Sequence, residues 1–323
     1  MCKVSILVPI YNVELYIERC ACSLFEQTFT DVEYIFVDDC SPDNSISILE
    51  EVICRYPDIK DVRVIKHPRN QGLAVARNTA VKNATGTYLL HVDSDDYLEK
   101  DAVQLLYEKA IATNADAVIC DYKLIFQNKE QILLLNYNEH ASEYTKMLLK
   151  RKAVTGIVGK LIKRDLIIQN NLYAIAGLNQ GEDYLVTPRI AYYSSIIQKV
   201  NSPLYNYEKN NSASYTANVN RNAVENIIEV ENILIKFFSE IKDASVYKEA
   251  LNLSKLYNKI TLLYSADFSS YKIIAPLYRD VHWLSANIEL KHKCILALMH
   301  LGLCHLVYFI IQLVKKYRRN NLC

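Results

Sequence analysis

Glycine and proline are scarce, seven of each in 323 residues, which excludes collagen-like and low-complexity architectures. Neither charge sign is in excess: 37 Lys and Arg face 36 Asp and Glu, a net +1. A nucleic-acid binder carries a clear basic surplus, so no nucleic-acid partner is expected. No Cys-x-x-Cys pair occurs among the nine scattered Cys, and a structural zinc site lacks its closely spaced ligands. No Gly-x-Gly-x-x-Gly follows any apolar run, which removes a nicotinamide dehydrogenase. The start, Met1-Cys2-Lys3-Val4-Ser5-Ile6, has none of the three regions of a secretory signal. Reduced cysteines and a cytoplasmic setting are therefore expected.

What is present is a folding chain. Apolar residues make up 51% and charged residues 23%, enough to bury a sizeable core and too apolar for disorder. The first 125 residues alternate two textures. Val4–Val8, Tyr34–Val37, Val62–Ile65, Tyr88–Val92 and Ala117–Cys120 are short apolar runs rich in β-branched residues. Helical patterns separate them over 14–27, 43–55, 71–84 and 99–113. That alternation predicts an α/β fold with a mostly parallel sheet flanked by helices. In such sheets ligands bind beyond the carboxyl ends of the strands. After about residue 139 the pattern turns to helices and irregular segments, with long amphipathic helices over 219–242 and 246–268.

Three of the apolar runs end in chemistry. The first leads into Pro9-Ile10-Tyr11-Asn12, the second into Asp38-Asp39-Cys40-Ser41-Pro42-Asp43, and the fourth into Asp93-Ser94-Asp95-Asp96. Carboxylates gathered on one sheet edge repel unless a cation compensates them. Mg²⁺ or Mn²⁺ suits such oxygen donors and keeps positions open for a diphosphate. The alternative for any one Asp is a turn or a helix cap, which is how Ser41, Asp43 and Asp96 read. Gly181-Glu182-Asp183 opens a helical pattern, where two carboxylates also favour the positive end of the helix dipole. Twenty-four Tyr supply amphipathic rings of a kind that suits polar ligands such as sugars.

Together these segments resemble a family 2 glycosyltransferase of the GT-A type, as found in bacterial capsular and cell-surface polysaccharide synthesis. The resemblance rests on Val4–Asn12, Ser23–Thr28, Val37–Asp43, Asn70–Asn78, Ala84-Thr85-Gly86, Asp93–Asp96, Lys160–Arg164, Gly181-Glu182-Asp183 and Tyr205-Asn206-Tyr207 with Ser212. It covers about 210 residues, and the last hundred carry none of its motifs. It implies a GT-A domain over 1–215; the helical patterning that follows predicts a helical extension over 216–290 and an apolar, basic-ended helix over 291–323.

The resemblance also implies roles. Pro9, Tyr11 and Asp39 would hold the nucleotide base, Glu14 would border its pocket, and Arg77 would reach a phosphate or base unless it is ion-paired. Asp93 would approach the ribose or sugar, and Asp95 would hold Mn²⁺ or Mg²⁺ on the diphosphate. Asp183 would be the base that takes the acceptor proton. The implied donor is a nucleotide-sugar, a UDP-sugar by family habit, and the acceptor a saccharide or lipid-linked saccharide. Lys160, Lys163, Arg164 and Asn206–Ser214 either border that acceptor or form a solvated basic face. Cys40 replaces the Gly of the family's Asp-Asp-Gly-Ser turn, which bears on backbone freedom there. The rival functions are an inactive scaffold of the same fold and an Asp-x-Asp phosphohydrolase.

Ile295–Val314 holds twenty residues without a formal charge, between Lys291/Lys293 and Lys315-Lys316-Tyr317-Arg318-Arg319. As one helix it is about 30 Å long. His300, His305, Gln312 and basic flanks on both sides favour a helix lying in an anionic membrane surface over a span. The alternative is a helix packed on residues 219–268. With a cytoplasmic donor, the expected location is peripheral, on the inner face of the cell membrane.

Overall fold

A computed structural model describes residues 2–211 and 220–320, with side chains as far as 317. Ser212 and the end of the Asn206–Ser214 stretch lie outside the described residues. The chain divides into two units, one of residues 1–148 with 153–214, the other of 149–152 with 215–323.

The first unit begins with alternating elements: β1 (Val4–Ile10), α1 (Ile17–Phe25), β2 (Val32–Asp38), α2 (Ser45–Arg55), β3 (Val62–Lys66), α3 (Leu73–Asn83) and β4 (Tyr88–His91). It continues through β5 (Tyr97–Leu98), α4 (Ala102–Thr113), β6 (Ala117–Phe126), β7 (Lys129–Leu133) and α5 (Ala141–Leu149). Then come β8 (Lys160–Lys163), α6 (Arg164–Gln169), α7 (Glu182–Tyr193) and β9 (Ile197–Glu208). The strand order is β3-β2-β1-β4-β8-β6-β9-β5, with β7 on β6. The run β3-β2-β1-β4 is parallel, as the alternating textures require. Beyond it β8 pairs antiparallel with both β4 and β6, and β9 pairs parallel with β6.

Every residue of β1 and β2 is buried, because helices cover both faces of the sheet. Val4, Ile6, Val8 and Phe36 pack into one core layer and Leu7, Ile35, Val37 and Leu89 into the other. Each such side chain contributes roughly 1.5–3 kcal/mol on burial. Pro9 is tolerated in a central strand because pairing of β1 with β4 stops at Leu7 and His91, so no ladder bond is lost on that side.

Past residue 139 the expectation of helices and irregular segments needs correction, since β8 and β9 lie there. β8 is four residues long, and β9 carries polar residues and a bulge between Val200 and Pro203. Neither shows a period-2 apolar pattern.

The second unit is helical: α8 (Arg221–Glu240), α9 (Ala244–Ser265), α10 (Tyr271–Ile274), α11 (Leu290–His300) and α12 (Cys304–Asn320). Leu262, Tyr271, Ile295, Met299, Val307 and Ile311 share its core. The single helix expected over Ile295–Val314 is two helices. The chain breaks at Leu301–Leu303, where Gly302 takes φ +78°, a conformation that favours glycine. Among the described residues, no helix is long and apolar enough to cross a membrane.

Candidate active site

Parallel pairing brings the ends of β1, β2 and β4 to one edge, with Ile10 opposite Asp38 and Leu7 opposite His91. The motif residues follow directly. Tyr11 follows β1 and is 42% exposed, an aromatic residue open to solvent at the sheet edge. Glu14 Oε2 accepts from Asn44 N at 3.0 Å and Asn44 Nδ2 at 2.9 Å, fastening the loop after β1 to the start of α2. Ser41 is the turn residue its position suggests: its Oγ accepts from Asn12 N at 2.9 Å. Cys40 sits at φ +61°, the left-handed conformation for which glycine is the easier residue.

Asp39 is only 3% exposed. Its Oδ1 accepts from Gln71 N at 2.8 Å and faces His67 Nδ1 at 2.7 Å, and its Oδ2 accepts from Gly72 N at 2.7 Å. The carboxylate therefore anchors the β3–α3 loop, where Gly72 at φ +90° allows the amides to converge. His67 is a site residue that the sequence reading missed. Its one signal is its place immediately after β3, and its Nε2 lies 3.0 Å from Thr79 Oγ1.

The acidic turn after β4 holds three carboxylates within 4.8 Å of one another. Asp96 is buried, taking Tyr205 Oη–H on Oδ2 at 2.5 Å and Glu208 N–H on Oδ1 at 2.7 Å. It joins β4 to β9, rather than supporting the helix near 99–113. Asp95 Oδ2 accepts from Asn211 Nδ2 at 2.8 Å, and the Asp95 carbonyl from Arg19 Nη2 at 3.1 Å. Asp93 Oδ1 accepts from Arg77 Nη2 at 2.8 Å. Burial, reinforced by the neighbouring Asp95 and Asp183 against the opposing pull of Arg77, pushes Asp93 up to about 6. Burial and the nearby Glu208 raise Asp95 against hydrogen bonding and Arg19, and burial with Asp95 and Asp93 raises Asp96 further. Such a set of desolvated oxygens fits a hard dication, whose charge would relieve the crowding. Since both Asp96 oxygens are engaged, Asp93 and Asp95 are the donors that fit.

Arg77, on the buried face of α3, connects this turn to the other half of the site. Its Nη1 donates to Asp183 Oδ1 at 2.6 Å and lies 3.6 Å from Glu182 Oε1. Burial alone lowers a guanidinium's proton affinity, but Asp183, Asp93 and Glu182 reverse that and hold Arg77 charged. Asp183 stands in the first turn of α7, after Gly181 at φ +86°. Its Oδ2 faces Gly156, whose missing side chain leaves room: a methyl there would sit 3.7 Å away. Burial, with Asp183 adding to it and Arg77 opposing, pushes Glu182 up to about 8. His91, behind Arg77, is held neutral by burial and by the Arg77 charge, down to about 3.

Of the three basic residues of the Lys160–Arg164 motif, only Lys160 lies toward this edge. Burial lowers it to about 8, against the pull of Asp183, and its Nζ donates to the Gly156 carbonyl. Lys163 pairs across from Tyr88, at the start of β4, and its Nζ binds Asp116 Oδ1 at 2.9 Å. Because β8 runs antiparallel to β4, Lys163 and Arg164 lie at the opposite edge, and they cannot border an acceptor held beside Asp93.

The model of glycosyl transferase family 2 matches residues 5–167. Glycosyltransferase GlyA of Streptococcus pneumoniae serotype 4 is 28% identical over 335 residues, covering 98% of this chain and 47% of that protein. The putative glycosyltransferase EpsH of Bacillus subtilis is 32% identical over 211 residues, 63% of this chain and 60% of its own length. The chain thus spans about half the length of these relatives. Among solved structures, Staphylococcus aureus TarS 1–349 superposes with a TM-score of 0.71 at 20% identity, over 98% of this chain and 92% of that one. The same fragment has been solved with UDP and with UDP-GlcNAc. The mannosyltransferase PcManGT of Pyrobaculum calidifontis, solved with GDP-Man and Mn²⁺, superposes at 0.54 with 16% identity, over 97% of this chain and 86% of that one.

Proposed function

This chain belongs to glycosyl transferase family 2, and from that premise we propose that it transfers a sugar from a nucleotide-sugar, a UDP-sugar, to a hydroxyl of a saccharide or lipid-linked saccharide. The reaction inverts the anomeric centre, requires Mn²⁺ or Mg²⁺, and serves surface-polysaccharide synthesis. The observation that supports this reading is the Arg77 bridge, which joins Asp93 and Asp183 through one guanidinium; in the proposal Asp93 serves the donor and Asp183 the acceptor.

In this mechanism Tyr11 packs its exposed ring against the nucleobase, beside Pro9 at the end of β1. Asp39 and His67 hold the Gln71-Gly72 amides in place around the same pocket, with Glu14 tying its rim to α2. Asp93 and Asp95 would hold the dication, which when bound neutralises charge developing on the diphosphate leaving group. Asp183 Oδ2 accepts the proton of the acceptor hydroxyl while that oxygen bonds to the anomeric carbon from the face opposite the diphosphate. The carbon–phosphate-oxygen bond breaks, and the nucleoside diphosphate departs with its electron pair. Arg77 keeps Asp183 Oδ1 fixed, so that Oδ2 is the oxygen presented to the acceptor.

Thermal unfolding in a panel of UDP-, GDP- and TDP-sugars, with and without Mn²⁺, tests the reading. A ligand bound only by the folded state raises the melting temperature by mass action. A rise confined to a UDP-sugar with Mn²⁺ is expected, followed by transfer of that labelled sugar to a saccharide acceptor. No rise with any nucleotide-sugar overturns the proposal. A peripheral position on the inner face of the cell membrane belongs to the same reading, supported by the six basic residues and no acidic one after Glu289.

A further inference from the structure

We propose that the second apolar face of α12 is a lipid-contacting surface that lies on an anionic membrane, with the helix axis in the membrane plane. The proposal deepens the peripheral location above by assigning it to particular side chains.

One face of α12 is committed to its own unit: Val307 and Ile311 are fully buried in the core, with Cys304 and Tyr308 packed against it. A water-soluble helix then turns polar residues outward. α12 does not. Leu306, Phe309, Leu313 and Tyr317 follow at spacings of three, four and four, which places them on one stripe, and they are 43%, 60%, 51% and 73% exposed. Leu301 and Leu303, in the turn before the helix, are 70% and 43% exposed. Singly exposed apolar residues need no explanation, but a contiguous stripe marks a surface that meets something apolar.

The charges on the same segment select the occupant. From Leu290 to Cys323 there are six Lys and Arg, Lys291, Lys293, Lys315, Lys316, Arg318 and Arg319, and no Asp or Glu. Lys316 is exposed one position before the last stripe residue. A second copy of this chain on the stripe would bring one acid-free basic segment against another, a repulsive arrangement. A surface of anionic headgroups over hydrocarbon satisfies both features, the stripe entering the acyl boundary and the lysines meeting the headgroups. Because α12 breaks from α11 at Gly302 and keeps one face in the protein core, its depth is limited to that stripe.

Sedimentation of the whole chain with vesicles of phosphatidylglycerol and phosphatidylcholine, against phosphatidylcholine alone, tests this without reference to catalysis. Binding to the anionic vesicles is expected, weakened by 0.5 M salt and absent from the neutral ones. Phe309→Ser with Leu313→Ser, both at exposed positions, should cut the partition by roughly a hundredfold, at about tenfold per large apolar side chain. Lys315→Gln with Lys316→Gln should cut it by about tenfold or more, and this pair serves as the control should the first variant melt early. Failure of the unaltered chain to bind anionic vesicles overturns the proposal, as does undiminished binding by both variants. Light scattering that shows a dimer, dissociated by Phe309→Ser with Leu313→Ser, assigns the stripe to self-association and overturns it equally. Vesicle binding by a chain that binds no nucleotide-sugar would leave this surface standing while removing the proposed activity.

Discussion

Arg77 and Asp183 stand 106 positions apart in the sequence and meet at 2.6 Å, Nη1 to Oδ1, in a part-buried ion pair. The other arm of that guanidinium takes Asp93, so a single side chain sets the spacing between the two acidic halves of the site.

Replacing Arg77 tests that bridge. Arg77→Met leaves Asp93 and Asp183 without their cation in a largely desolvated place, and unfolding in urea should show a loss of about 3–5 kcal/mol. Arg77→Lys keeps the charge but not the planar fork that can hold two carboxylates. It should fold and bind donor, yet transfer at least tenfold more slowly, because Asp183 loses its fixed orientation. Unchanged kcat in Arg77→Lys would refute the positioning role.

Asp183→Asn separates binding from proton removal. Asparagine can still accept from Arg77 through Oδ1 but cannot take a proton, so kcat for transfer should fall by about 10²–10⁴. The donor-induced rise in melting temperature should persist. Transfer at the unaltered rate would leave Asp183 as no more than a partner of Arg77.

The two acids after Ser94 should behave differently. Asp95→Asn should abolish the part of the donor-induced thermal shift that requires Mn²⁺, with little change in the melting temperature of the free protein. Removal of metal by EDTA should do the same to the unaltered chain. Asp96→Ala instead leaves the Tyr205 O–H and the Glu208 N–H without their acceptor and should cost about 1–3 kcal/mol of stability per unsatisfied group. Equal effects of the two substitutions would contradict this division.

Glu33 supplies a pH dependence that is independent of the active site. Its carboxylate is buried, which raises its pKa. Hydrogen bonds from Ser5 and Thr85, together with the Arg63 charge, outweigh that burial and leave it below the usual 4.5. Gly86 N donates to the same oxygen at 3.0 Å. A depressed folded-state pKa means stability that is fully present above the unfolded value near 4.5 and is lost as pH falls through the lower folded value. Glu33→Gln should therefore be less stable at pH 7 by about 1–3 kcal/mol, with the difference shrinking below pH 4.5 in denaturant titrations. A difference that holds constant with pH would rule out the ionised form as its source.

The parallel half of the sheet was legible because its signals are local. Val4–Val8, Tyr34–Val37, Val62–Ile65 and Tyr88–Val92 are apolar runs between amphipathic stretches, and β1 to β4 form there. Their ends told where acids would gather. β8 and β9 were not legible, since four residues have no measurable period and β9 is pleated between unlike neighbours with a bulge. The same limit hid the break at Gly302, where an uncharged run read as one helix.

The sequence by itself determined which residue types stand at the ends of strands and at the start of α7, and hence the chemistry on offer: carboxylates and an aromatic ring, with an arginine on the third helix. Tertiary structure alone decided how each is used. It turned Asp39 and Asp96 inward to backbone amides and Tyr205, joined Asp93 to Asp183 through Arg77, and carried Lys163 and Arg164 to the far edge. Spacing along a chain encodes which face of a helix or strand a residue takes. The partner that satisfies a buried charge comes from wherever the fold brings an opposite one within about 3 Å.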